Sequence, residues 1–414
     1  MIASFRAGLT ILLFLSGPGR AGEIQQLRFD HFSSEQGLSQ NSVLSIVQDN
    51  QGFMWFGTQH GLNKFDGYGF DIYKQEPFDT GSLSHSMITN LFTQSDGTLW
   101  VCSNGNQWNR LVRKDGRFIR LPADPENPNT PSLPGFTAID EDAEGRVWIG
   151  YASGLLDRYD PKTGTFEALR LPTGKSSQAP ISDMLLDSKG RFWIATCGNG
   201  LFLYNGDSEG FTRFSRDPQD PTSLANNWIG NLRGRAEALY EDLSGDLWLG
   251  TAKGFSRRNG ETGVFTNYPV RIGGRARPGS GLLKIDSDGR GSIWAFHAEG
   301  SISRLEVSTN SVHRYRHDPN DPNSPISLQY QDHVIDREGV LWLISQDKGL
   351  CYYQPENDQF VRPAHNPSDS SSLGTNRLLS IYEDRGGSIW IGGATTGVSK
   401  YSPSKQKFRH YLPN

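Results

Sequence analysis

Two tryptophans stand apart from the other eight. Trp108 closes the run Asn104-Gly105-Asn106-Gln107, and Trp228 follows Asn226-Asn227. An exposed indole plane stacks on the apolar face of a sugar ring, while neighbouring amides bond its hydroxyls. Tyr151 and His297 occupy a position where other copies of the repeat described below carry Thr, Ser or Gly. The candidate ligand-binding set is therefore Asn106, Gln107, Trp108, Tyr151, Asn227, Trp228 and His297. Catalytic patterns are missing from the sequence. The nine histidines have no metal-ligand spacing, and neither a Gly-x-Ser-x-Gly elbow nor a phosphate-binding Gly-Lys-Ser/Thr loop occurs. No catalytic residue, metal or cofactor is expected.

A repeat must position these side chains. Trp55, Trp100, Trp148, Trp193, Trp248, Trp294, Trp342 and Trp390 follow one another at intervals of 45 to 55 residues. A glycine precedes each by three positions. An aspartate stands three further back in seven of the eight copies, and Gln94 replaces it in the second. β-Branched and aromatic runs between turn glycines exclude helical repeats of similar length. Each unit parses into four strands. Strand A ends at the aspartate, B carries the tryptophan, C follows a glycine turn, and D is an aromatic-x-x-aromatic element. That is the pattern of a β-propeller blade, so the expected fold is all-β. The repeat tryptophans should fill the wedges between blades, and the aspartates should accept backbone N–H groups in the A–B turns.

Composition narrows the partners. Lys and Arg total 41 against 45 Asp and Glu, a net charge of -4. Such a surface does not suit nucleic acid. Residues 1–21 read as a secretory signal, with Arg6 before a short apolar run and small Gly19 and Ala21 near its end. No later stretch approaches 18 apolar residues, so no direct membrane span is expected and the chain should be periplasmic or secreted. Three cysteines are too few for a disulfide framework.

The pattern Asp-x-x-Gly-x-x-Trp-x-Gly-Thr-x-x-Gly-Leu-x-x-Phe, complete at 49–65, resembles the two-component regulator propeller repeat. So does the opening Ser34-Glu35-Gln36-Gly37-Leu38-Ser39. The resemblance covers 28–414. It implies the extracytoplasmic sensor region of a hybrid histidine kinase or diguanylate cyclase, with an oligosaccharide as ligand. A membrane receptor or a second propeller subunit would be its partner. No β-sandwich, membrane helix, kinase or cyclase is expected within these 414 residues.

The resemblance also implies seven blades. Residues 28–359 would then close a seven-bladed ring, and 360–414 would begin a second propeller. The alternative is one eight-bladed ring. It is suggested by a D-type element, Phe29-Asp30-His31-Phe32, lying ahead of the first blade; another, Phe408-Arg409-His410-Tyr411, ends the chain. A connector with the form Asp217-Pro218-Gln219-Asp220-Pro221-Thr222-Ser223-Leu224 recurs between blades. The D–A connectors and B–C turns share one face, and variable loops on a rigid scaffold are the expected site of function. The same face would also suit a protein-interaction platform, or a propeller lyase or glycosidase.

Overall fold

The computed structural model describes residues 27–105, 107–112, 115–174, 177–230, 237–270, 282–297, 299–327 and 329–403. The signal reading of 1–21 and the D-type element at 408–411 lie outside them. The described residues form eight four-stranded antiparallel sheets. In blade 1, strands A to D are Val43–Gln48, Met54–Thr58, Gly61–Phe65 and Phe70–Tyr73. Strand A is innermost and touches strand A of the neighbouring blades.

One ring contains all eight blades. The last takes three strands from the end of the chain, Leu378–Glu383, Ile389–Gly393 and Val398–Tyr401, and its outer strand, Phe29–Phe32, from the beginning. Phe29 pairs with Tyr401 and Phe32 with Val398, antiparallel. The expected seven-bladed ring followed by a second propeller is therefore not what forms. The eighth repeat is the closing blade, because the first strand of the chain completes it. Trp390 then packs against Phe56 and Phe65 of blade 1, at centroid distances of 5.5 and 5.9 Å. Closure leaves no unpaired blade face in the circle.

The turn aspartate and the tryptophan act as one unit. Asp49 Oδ1 accepts the backbone N–H groups of Gln51 and Phe53, both at 3.0 Å. Its Oδ2 accepts the indole N–H of Trp55 at 2.9 Å. The indole bond recurs in the third, fourth, fifth, seventh and eighth blades. In blade 2, Gln94 Oε1 takes the bond from Trp100 at 2.7 Å. The glutamine thus preserves the acceptor. Trp294 is the exception, and its Nε1 has no partner among the described residues. Each large ring is buried between its own blade and the next, as Trp55 is with Leu83, Leu99 and Phe118.

The recurring connector is a structural clamp. In 217–224, Ser223 Oγ donates to the carbonyls of Asp217 and Asp220, at 2.9 and 2.7 Å, and Leu224 is buried. The loop then binds the outer strand of the next blade through Phe265 N–H to Thr222 O, at 3.0 Å. Phe118, Phe166, Phe360 and Phe29 make the same bond to the connectors before them. Five D–A connectors are therefore tied down.

Candidate functional site

With those connectors fixed, the departures from the repeat collect on one side of the ring. Four residues before the turn acid, the inner strands carry Ser45, Asn90, Ala138, Asp183, Ala238, Lys284, Asp332 and Ser380. Two residues before it they carry Val47, Phe92, Asp140, Leu185, Tyr240, Asp286, Val334 and Tyr382. At these registers charge is confined to blades 3, 4, 6 and 7, and Glu237 adds a carboxylate from blade 5. A wall made by the inner strands of a closed ring needs no charge for stability, since desolvating an ion costs free energy.

The charged wall is connected across blades. Lys284 Nζ lies 3.0 Å from Asp332 Oδ1 and 3.5 Å from Glu237 Oε2, joining blades 5, 6 and 7. His333 Nε2 faces Asp286 Oδ2 at 3.7 Å, and its ring packs on Phe296 with centroids 4.2 Å apart. Asp183 Oδ2 accepts the N–H groups of Ala238 and Leu239 at 2.7 and 2.8 Å. Burial pushes the Asp286 carboxyl up to about 7, and holds Asp183 well above the usual carboxylate range despite those donors. Burial, reinforced by the Lys284 ammonium, pushes His333 down to about 4. Side by side, the wall therefore offers protonatable carboxyls, a neutral imidazole and an ammonium, which together can donate to and accept from neutral polar groups. Among the described residues, no three His, Cys, Asp or Glu side chains are grouped to hold a metal ion.

Blade 5 adds a second departure beside Asp183. Gly230 N–H donates to Gly250 O and Gly250 N–H to Ala238 O, both at 2.9 Å. Residues 230 and 238 thus meet the same glycine, with seven residues of the 55-residue interval between them in sequence. Trp228 stands at the base of this insertion. It bridges to Cys197 of blade 4 while Ile229 bridges to Thr251, and its ring is half-buried.

The expected site residues do not form one exposed site, although Trp108 and Tyr151 share a buried cluster between blades 2 and 3. Trp108 is 1% exposed. It packs on Phe136 at 4.9 Å and edge-on to Trp100 at 6.2 Å, and lies opposite Cys102 in the register that Leu62 occupies opposite Gly57. It replaces the leucine of the Gly-Leu pair and offers no plane to solvent, because strand C begins at Gln107, earlier than expected. Gln107 itself is exposed. Tyr151 is buried and donates to Asp157 Oδ2 at 2.7 Å, while Asp157 Oδ1 also receives the Ser132 hydroxyl at 2.6 Å. His297 is buried against Ser303 Oγ at 2.7 Å. Tyr151 thereby ties its hairpin to the connector, as Thr58 does with Ser39 in blade 1 at 3.0 Å, whereas His297 bonds within its own hairpin. Asn227 holds Arg216 N–H through its side chain at 2.6 Å. Asn106 lies outside the described residues. Of the seven, Trp228 lies nearest in sequence to the long interval of blade 5, two residues ahead of Gly230. Sequence reasoning missed Asp183, Lys284, Asp286, Asp332 and His333, although comparing the copies register by register would have exposed them.

The fold is that of an eight-bladed propeller. Residues 37–60 match the two component regulator propeller family. The chain is 26% identical to Histidine kinase P4 of Formosa agariphila over 44% of this chain, and it spans 17% of that protein's length. Among solved structures, it resembles the extracellular domain of a hybrid two component system from B. thetaiotaomicron. That likeness has a TM-score of 0.55 and 21% identity, and covers 91% of this chain and 42% of the other. It also resembles the Dos1 propeller, with a TM-score of 0.60 and 11% identity over 91% and 95% of the two chains. At such identities the likenesses to solved structures establish the fold alone. No helix among the described residues is long and apolar enough to cross a membrane.

Proposed function

We propose that this chain is the extracytoplasmic, ligand-sensing propeller of a two-component or diguanylate cyclase signalling receptor, and that its ligand is an oligosaccharide. The observation that carries the reading is that, four and two residues before the turn acid, the inner strands carry charge only in blades 3, 4, 6 and 7, beside the long interval that follows Trp228. Symmetry in a repeat ring satisfies packing, and a one-sided polar sector breaks it where packing does not ask for it. Asp332, Lys284 and Glu237 would bond sugar hydroxyls, and the half-buried face of Trp228 would stack on a ring. The matching regulator-propeller repeat and the partial likeness to a histidine kinase support the sensor role. Ligand bound across several blades would bias the pose of the propeller against a membrane receptor or a second propeller subunit.

A thermal-shift screen of the purified chain against plant, host and bacterial oligosaccharides tests this. One sugar class should raise the melting temperature in a concentration-dependent way. A flat response to every class would count against a glycan sensor and favour a protein-binding platform.

A further inference from the structure

The charged sector is unequal in sign. From five consecutive blades it gathers the carboxyls of Asp140, Asp183, Glu237, Asp286 and Asp332 against one ammonium, that of Lys284. Lys284 lies between Glu237 and Asp332. Asp183 reaches from blade 4 to the N–H groups of Ala238 and Leu239, next in the chain to Glu237. Among the described residues Asp183 forms no ion pair, and Asp286 comes within ion-pair distance only of the His333 ring. Crowded carboxyls oppose one another's ionisation. After burial, the Glu237 carboxylate helps hold both Asp183 and Asp286 above the usual carboxylate range, and Asp140 adds to the effect on Asp183. Asp286, Asp332 and Glu237 all remain partly exposed.

A histidine points into the same cluster. His333 stands where every other copy of the repeat carries Ile, Leu or Met. It is 8% exposed, and its Nε2 has no hydrogen-bond partner among the described residues. The 3.7 Å from Nε2 to Asp286 Oδ2 is too long for a hydrogen bond. An apolar side chain would fill this slot without burying an unbonded nitrogen, so packing does not account for the imidazole. Neutral, and with its proton on Nδ1, the ring presents Nε2 as an acceptor beside the acceptor Oδ2. A group carrying more than one N–H can bond both, and a positive charge on it strengthens the bond to the carboxylate.

Resting on the glycan-sensor reading above, we infer that the oligosaccharide taken by this sector carries a free amino group, whose ammonium sits between Asp286 and His333. Glu237 and Asp183 add to the field that attracts it. A neutral sugar forgoes this ion pair, and a uronate meets like charge.

Calorimetric titration of the full chain with a β-1,4-linked glucosamine trimer and with cellotriose tests the inference. The two sugars differ only in carrying an amino group or a hydroxyl at C2. A galacturonate trimer supplies the opposite charge. The amino trimer should bind saturably, cellotriose at least tenfold more weakly, and the galacturonate trimer without measurable saturation. Asp286→Asn should cut the preference for the amino trimer over cellotriose at least fivefold while the protein still melts cooperatively. Glu237→Gln, at a more exposed carboxylate, should cut it at least twofold, and it serves should Asp286→Asn not fold. If cellotriose or the galacturonate trimer binds as tightly as the amino trimer, the glycan-sensor reading stands and the amino-sugar inference falls. If none of the three binds, the inference falls, and the wider oligosaccharide screen decides the sensor reading by itself. Undiminished preference in the folded variants would also overturn it.

Discussion

Arg385 donates its backbone N–H to Gln48 Oε1 at 2.8 Å, across the seam where the last blade meets the first. Inside the ring, Ser95 makes the same bond to Glu141 and Ser188 to Glu241, each at 2.6 Å. The closing joint is therefore built like the interior joints. It depends on residues more than three hundred positions apart, which the repeat period alone does not reveal.

Shortening the chain to end at residue 359 should then remove most of the closing blade and leave two open blade faces. Differential scanning calorimetry should find the single cooperative transition lost, with aggregation on heating. A transition as sharp as that of the full chain would mean that seven blades close without the eighth.

The aspartate–tryptophan unit makes unequal demands in different blades. Asp187 serves the N–H groups of Lys189 and Arg191, the Arg191 guanidinium and the Trp193 indole. Asp288 serves backbone N–H groups of Arg290 and Ser292, while the Trp294 indole goes unbonded. Asp187→Ala should cost about 3 kcal/mol and Asp288→Ala about 1 kcal/mol in urea unfolding. Equal losses would show that the indole and guanidinium bonds together contribute nothing.

Trp108 fills a leucine slot and its indole N–H has no acceptor among the described residues. Trp108→Leu should stay within about 2 kcal/mol of the parent, since the cavity is partly offset by removing a buried unpaired donor. It should leave glycan binding unchanged. A large loss of affinity with the fold intact would restore the ligand role expected from the sequence.

Asp286 and His333 set opposing pH dependences. The folded carboxyl of Asp286, near 7, lies above its ordinary value of 3.8, so its contribution to stability is complete in acid and is lost as pH rises towards 7. His333, near 4, lies below its ordinary 6.5, so its contribution is complete above about 6.5 and is lost as pH falls towards 4. Removing the acid with Asp286→Asn should make the variant gain on the parent as pH rises from 4 to 7. His333→Phe should make it gain as pH falls. Each change should be on the order of 3–4 kcal/mol. Parallel pH profiles for parent and variants would exclude this titration.

Much of the architecture was legible because the repeat is local. The spacing of Trp55 and Gly52, the turn at Asp49 and the four-strand parse all sit within one copy of the sequence. The blade count was not, since pairing Phe29 with Tyr401 is a long-range choice, and the D-type elements at 29–32 and 408–411 read alike. The candidate site was least legible. Trp108 drew notice as a residue type outside the pattern, yet a hydrophobic slot accepts tryptophan as readily as leucine. Asp183, Lys284 and Asp332 sit at a register with no motif of its own, and their proximity arises only when the ring brings neighbouring inner strands together.

The central claim is that ligand binds the charged sector of blades 3–7, and it permits an internal control. Asp332 and Asn90 occupy the same repeat position on blades 7 and 2. The most direct measurement is calorimetric affinity for the stabilising oligosaccharide in the parent, Asp332→Ala, Trp228→Ala and Asn90→Ala proteins. The account predicts at least tenfold weaker binding in the first two variants and parental affinity in Asn90→Ala. Parental affinity in both sector variants, or a loss confined to Asn90→Ala, would contradict it.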